Sequence, residues 1–103
     1  MKIKILDEAH NDLRMSAWFY EKQHAGLGTY FLETLFLDIQ SLLLYAGIHV
    51  RIDGYFRLLS KRFPFAVYYL VEQDVVQVYA VLDCRRNPKV NHEQLVKRFV
   101  SEA

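Results

Sequence analysis

The hydrophobic pattern of this chain changes period at Asp53-Gly54, and that change sets its fold class. Upstream, apolar and small residues recur at helical spacing. Ala9, Leu13, Ser16, Ala17 and Tyr20 mark an amphipathic helix over residues 8–22, with Asp7 as an N-cap and Glu8 beside the positive helix end. Gly26-Leu27-Gly28 breaks this pattern. Thr29 then offers a cap for a second helix, whose stripe runs through Phe31, Leu32, Leu35, Phe36, Ile39, Leu42, Leu43 and Ala46 to a natural stop at Gly47. The two helices form an antiparallel hairpin. Ahead of them, Lys2-Ile3-Lys4-Ile5 alternates as a short strand with one buried face.

Downstream the period is 2. Residues 55–61 place Phe56 and Leu58 on one face and Tyr55, Arg57, Leu59 and Lys61 on the other. Residues 65–72 are rich in strand formers. Residues 75–83 alternate again, with Val76, Val78, Ala80 and Leu82 expected on a common face. Gln73-Asp74 marks a tight reversal, and Pro64, with no N–H to donate, belongs at a strand start or edge. Asn91 is the expected cap of a short C-terminal helix through Leu95, Val96, Phe99 and Val100. The order predicts one domain over residues 1–103, a two-layer α+β fold. A mostly antiparallel four-stranded sheet (β-α-α-β-β-β) packs against the helical hairpin, with a short helix at the end.

Composition narrows the class further. Hydrophobic residues make up 52% of the 103 and aromatic ones 15%, which excludes disorder and supports a core without staples. The single cysteine, Cys84, rules out an internal disulfide and suits a reducing cytoplasm. Residues 1–6 lack the apolar segment of a secretion signal, and no apolar run is expected to span a membrane, so a cytoplasmic location is expected. Thirteen Lys and Arg against twelve Asp and Glu leave a formal charge of +1. Broad phosphate binding usually needs a clear basic excess, so this balance argues against extensive nucleic-acid contact. His10, His24, His49 and His92 stand singly, with no metal-ligand spacing, and neither a metal nor a cofactor is expected.

Several segments carry a family resemblance through their order and spacing. They are Leu6-Asp7-Glu8-Ala9, Asp12-Leu13, Trp18-Phe19-Tyr20-Glu21, Gly26-Leu27-Gly28-Thr29-Tyr30-Phe31, the strand bearing Arg57, residues 62–69 and Arg85-Arg86-Asn87-Pro88. With them the chain resembles the RelE/ParE superfamily, the toxins of bacterial type II toxin–antitoxin (plasmid-stabilisation) systems, across nearly its whole length. The resemblance implies the same α+β fold and a cognate antitoxin whose C-terminal segment wraps the toxin. It also implies one of two targets, DNA gyrase for the ParE branch or ribosome-bound mRNA for the RelE branch.

The resemblance also assigns roles. If the chain is a metal-independent ribonuclease, Arg57, Lys61 and Arg85 hold and stabilise the scissile phosphate, while the ribose 2′-oxygen attacks it. If it binds a protein, Arg62, Arg85 and Arg86 are the contact residues for target or antitoxin. One of the two adjacent arginines could equally pair with Asp83 and shape the loop. Three departures favour the gyrase branch. Phe56 stands where relatives often carry a basic residue, Asp83-Cys84 replaces a frequent His-Gly, and no tyrosine follows Tyr79. His92, just after the arginine loop, is a conceivable general acid, and Cys84 lacks a neighbouring histidine base. Growth inhibition through gyrase therefore leads, with ribonuclease action or an attenuated toxin that only binds its antitoxin as alternatives. An apolar surplus around Leu42, Leu43 and Leu44 leaves room for a homodimer or a partner.

Overall fold

The computed structural model describes residues 1–102. Strand β1 (Lys2–Ile5) leads into helix α1 (Asp7–Gln23), helix α2 (Leu27–Gln40) and the one-turn helix α3 (Leu42–Tyr45). Strands β2 (Val50–Ile52), β3 (Tyr55–Leu59), β4 (Phe65–Glu72) and β5 (Val75–Asp83) follow, and helix α4 (Pro88–Glu102) closes the chain. The sheet order is β1-β5-β4-β3-β2, antiparallel except for the parallel pairing of β1 with β5. The α+β layering follows the sequence pattern. The sheet gains a fifth strand, β2, because Asp53-Gly54 is a hairpin turn rather than only a boundary. Both residues have positive φ, as the two-residue turn between twisted strands requires, and Gln73-Asp74 does the same between β4 and β5.

The helical hairpin covers one sheet face. Leu13, Phe31, Leu35 and Leu42 are fully buried against Val67, Tyr69, Val76, Val78 and Val81. Each such side chain contributes about 1.5–3 kcal/mol through burial. The α1–α2 corner differs from the expected Thr29 cap. Gly26, at φ +88°, is the N-cap, and Gly28 lies inside the helix against α1. The Glu21 carboxylate accepts the N–H groups of Gly26 and Gly28, both at 2.9 Å, doing the work of a side-chain cap from the neighbouring helix. At the other end of α2 the Ser41 hydroxyl donates to the Asp38 carbonyl at 2.6 Å, where α2 gives way to α3. The continuous helical stretch Leu27–Tyr45 is long and apolar enough to cross a membrane by length and composition, contrary to the expectation that no run is. Its buried stripe is the one that covers the sheet.

Tyr69 anchors the passage from α3 to β2. Its hydroxyl oxygen accepts the Gly47 N–H at 2.9 Å and lies 2.5 Å from His49 Nδ1. Burial holds the His49 pKa below its usual value and so favours the neutral imidazole.

The expected common face of Val76, Val78, Ala80 and Leu82 does not survive. Tyr68 pairs with Ala80 while Tyr69 pairs with Val78, so Tyr79 is the extra residue of a β-bulge. Past the bulge the faces exchange. Val76, Val78 and Val81 face the hairpin, whereas Tyr79, Ala80 and Leu82 face α4 together with Tyr55, Ala66, Tyr68 and Leu95. Helix α4 also begins earlier than Asn91, since Asn87 Oδ1 accepts the Lys89 N–H at 2.9 Å and caps it.

Beyond the end of β1, side chains take over from strand neighbours along β5. Asp12 Oδ2 accepts the Val81 N–H at 2.9 Å, Arg98 donates to the Tyr79 carbonyl at 3.2 Å, and Asn91 donates to the Asp83 carbonyl at 3.1 Å. Arg98 also meets Asp12 through both terminal nitrogens, at 2.5 and 2.9 Å, and Glu8 at 3.1 Å. This network ties α4 to α1 across the bulged strand.

Candidate functional site

The basic residues singled out from the sequence fall into two places. Arg57 stands alone on the α4 side of the sheet. Its position in β3, opposite Tyr68 in β4, sets it among the residues that α4 roofs. Leu95 of α4 packs among Tyr55, Ala66, Tyr68, Ala80 and Leu82, the Tyr55 hydroxyl donates to the Leu95 carbonyl at 2.7 Å, and His92 Nδ1 meets Asp53 Oδ1 at 2.8 Å. Arg57 Nε is buried without a hydrogen-bond partner.

The groups around Arg57 are not activated. Burial pushes the Tyr68 hydroxyl above its usual pKa, with Arg57 pulling the other way. The Cys84 residue is exposed overall, yet the crowding at its thiol raises its pKa, again against the pull of Arg57. A protonated thiol is a poor nucleophile. Burial also lifts the Tyr55 hydroxyl to about 12. His92 is engaged by Asp53, and among the described residues no group of three or more His, Cys, Asp and Glu side chains converges as metal ligands would.

Lys61, Arg62 and Arg85 lie elsewhere. Strand β3 ends at Leu59, so Lys61 is not on the Arg57 face as strand alternation predicts but in the loop before β4. That loop is held in shape by Ser60, whose hydroxyl donates to Asp38 at 2.7 Å and whose N–H donates to the Phe65 carbonyl at 2.9 Å. From it Arg62 reaches the Tyr30 hydroxyl of α2 at 3.1 Å. Arg85 is gripped by Asp83 through Nε at 3.0 Å and a terminal nitrogen at 2.8 Å, and its N–H bonds the same carboxylate at 2.8 Å. This contact holds the Asp83 carboxyl below the usual range and the Arg85 guanidinium above its own. The same terminal nitrogen of Arg85 also lies 3.4 Å from the Tyr20 hydroxyl. Arg86 donates twice to Asn91 Oδ1, at 3.0 and 2.6 Å, and so braces the start of α4.

Arg62 and Arg85 are therefore brought to the two ends of a row of aromatic rings. Tyr20 and Tyr30 lie 5.1 and 5.6 Å from the Phe63 ring, and Phe19 lies 5.5 Å from Tyr20. In the sequence, Phe19, Tyr20, Tyr30 and Phe63 stand only within the segments that carry the family resemblance, with Tyr20 also on the α1 stripe, and no site role is legible for them. The pairing of Asp12 with Arg98 spans 86 positions and leaves no local signature.

Comparison with known proteins bears on the fold. No protein-family model matches the chain, and no curated protein does. A solved structure described as the chromosomal ParDE TA system from P. aeruginosa contains a chain that superposes with a TM-score of 0.66. The match is 18% identical and covers 79% of this chain and 92% of that one. At this identity the likeness is one of fold. It agrees with the RelE/ParE resemblance drawn from the order of the sequence segments.

Proposed function

We propose that this chain is the toxin of a type II toxin–antitoxin module, that it acts in the cytoplasm, and that it arrests growth by binding a protein target, DNA gyrase, rather than by cutting RNA. The toxin role is supported by the shared fold with a chain of a ParDE system and by the segment order. The choice of target rests on one observation: the basic residues a ribonuclease would need are not gathered. Arg57 lies on the face that α4 roofs, Lys61 has left that face, and Arg85 is held by Asp83. In-line attack on a phosphodiester needs several cations aimed at one phosphorus, because stabilisation of the developing charge depends on donors already in place. A chain that works by surface contact needs no such convergence.

The test is pulse-labelling of DNA and protein synthesis in bacteria, minutes after induction of this chain without its antitoxin. An early fall in DNA synthesis with translation intact is expected, and Arg57→Ala leaves it unchanged. Collapse of protein synthesis first, abolished by Arg57→Ala, would establish the ribonuclease alternative. Unimpaired growth, with tight binding to the antitoxin retained, would mark an attenuated toxin.

A further inference from the structure

Helix α2 and its continuation α3 are apolar on both sides. The inner stripe, Phe31, Leu35, Ile39 and Leu42, is buried in the core that joins the hairpin to the sheet. The outer side carries Tyr30, Glu33, Leu37, Gln40 and Leu44, in alternating steps of three and four residues. Such steps keep side chains on one line along a helix and are the spacing of a helix–helix seam. All five are exposed, Leu37 at 67% and Leu44 at 81%, and Phe36 and Leu43 lie exposed beside them. Within the stretch Leu27–Tyr45 only 39% of the most apolar window is buried. A helix that is apolar all round is normally covered all round.

The polar members of the stripe say what covers it. A bilayer does not suit, because Glu33 and Gln40 stand in the middle of the line and would enter hydrocarbon without partners. Helix α1, packed alongside, also presents Arg14 and Lys22 to the same side as solvent-exposed charges. A second copy of the stripe does suit, since it is complementary to itself when reversed. In an antiparallel pair, Leu37 and Leu44 of one copy interleave with Leu44 and Leu37 of the other, with a Tyr30 closing each end. Glu33 then comes beside Gln40 of the second copy, whose amide donates to the carboxylate. The sequence holds no Lys or Arg between Lys22 and Arg51, so no cation of α2 competes for Glu33. A matched polar pair inside an apolar seam fixes direction and register.

We infer that the outer face of α2 is a dimer interface, on which two copies of this chain pair antiparallel about a twofold axis between Leu37 and Gln40. Closed twofold pairing of this kind uses the same patch on both subunits and leaves no seam residue unmatched. The size agrees. Counting roughly 200 Å² for a fully exposed large side chain, the exposed parts of the stripe with Phe36 and Leu43 come to about 700 Å² per copy, against about 800 Å² per partner in a standard stable interface. The pairing leaves the sheet face under α4 and the loops bearing Arg62 and Arg85 outside the seam. It goes beyond the toxin reading and does not rest on it.

Sedimentation velocity of the purified full chain tests this. The mass should rise from the 12.2 kDa of one chain to twice that value through the micromolar concentration range. Leu37→Glu puts a second carboxylate into the seam and should weaken the dimer about tenfold or more. Leu37 lies on the surface, so the variant keeps the wild-type circular dichroism. Val100→Ser, on the exposed side of α4, is the control and should dimerise as wild type does. Register is read by oxidation in a Cys84→Ser background, which removes the exposed native thiol. Leu37→Cys should form a disulfide-linked dimer, because the axis brings the two copies of that position together, whereas Leu44→Cys should not. The inference is overturned if the chain stays monomeric, if Leu37→Glu dimerises as wild type does, or if Leu44→Cys cross-links as readily as Leu37→Cys. Flotation with phosphatidylcholine vesicles, lost in Leu37→Glu, would also overturn it and give the face to a membrane. Growth arrest on induction is scored separately: an inert chain that dimerises refutes the toxin reading alone, and a toxic chain that stays monomeric refutes the interface alone.

Discussion

Replacing Gly28 by alanine tests why the α1–α2 corner is built as it is. Gly28 is helical with negative φ, so its backbone would accept any residue, and alanine would add about 1 kcal/mol of helix propensity. Space works the other way. A Cβ at this position would sit 2.5 Å from the Ala17 carbonyl oxygen, 2.9 Å from Glu21 Cβ and 3.0 Å from Glu21 Oε1, where ordinary contact starts at 3.4 Å. The nearest atom is backbone and cannot rotate aside, so α1 and α2 must separate, at the upper end of the roughly 1–3 kcal/mol that overpacking costs. The same Cβ pushes away the Glu21 carboxylate, whose pKa is held down first by the Gly26 N–H and then by that of Gly28. The net expectation is a loss of about 2 kcal/mol, or about 10 °C in Tm for a domain of this size. Thermal and urea unfolding followed by circular dichroism provide the measurement. Gly26→Ala is the control: nothing lies within 4 Å of its Cβ, so it reports only the cost of φ +88°. A Gly28→Ala variant as stable as wild type would refute the argument from close approach.

Two further outcomes follow from the buried polar groups. Arg98 is 9% exposed and paired with Asp12, so Arg98→Met leaves a carboxylate without its cation and should cost about 3 kcal/mol in urea unfolding. Adding Asp12→Asn should recover part of that loss; a double variant no more stable than the single one would mean that the pair is not coupled. For His49 the folded pKa lies below the ordinary 6.5 because of burial, so the unfolded chain binds the proton more readily. The stability tied to neutral His49 is fully present above pH 6.5 and is lost as pH falls through the lower folded value. Urea midpoints at pH 7.5 and 5 should therefore differ more in wild type than in His49→Asn, and an equal difference would disprove the burial-driven shift at His49.

How far the sequence could be read depended on how local each signal was. The α1 stripe, the α2 stripe and the two turns with positive φ each declare themselves within a few residues, through period and turn chemistry. Strand β2 was hidden because three residues cannot show an alternation. The bulge at Tyr79 was hidden because nothing in Val-Tyr-Ala-Val marks an extra residue; Asp12 and Arg98, from distant helices, supply the partners that the irregular edge needs. The role of Arg57 depended in the same way on a helix more than thirty positions further along.

Taken alone, the sequence determined the α+β class, the helical hairpin, the strand run and the RelE/ParE resemblance, because each rests on side-chain periodicity and on the spacing of short segments. Only the tertiary structure decided which basic residues share a surface. Arg57 lies on the sheet face that Leu95 of α4 packs against, whereas Arg62 and Arg85 lie around the Tyr20, Tyr30 and Phe63 rings on the opposite side. That outcome turns on where β3 stops, on how the loop from Ser60 is pinned to Asp38, and on a carboxylate at position 83 that captures its neighbour. These are contacts between distant segments, fixed by packing and hydrogen bonding once the chain has folded, and no local pattern encodes them.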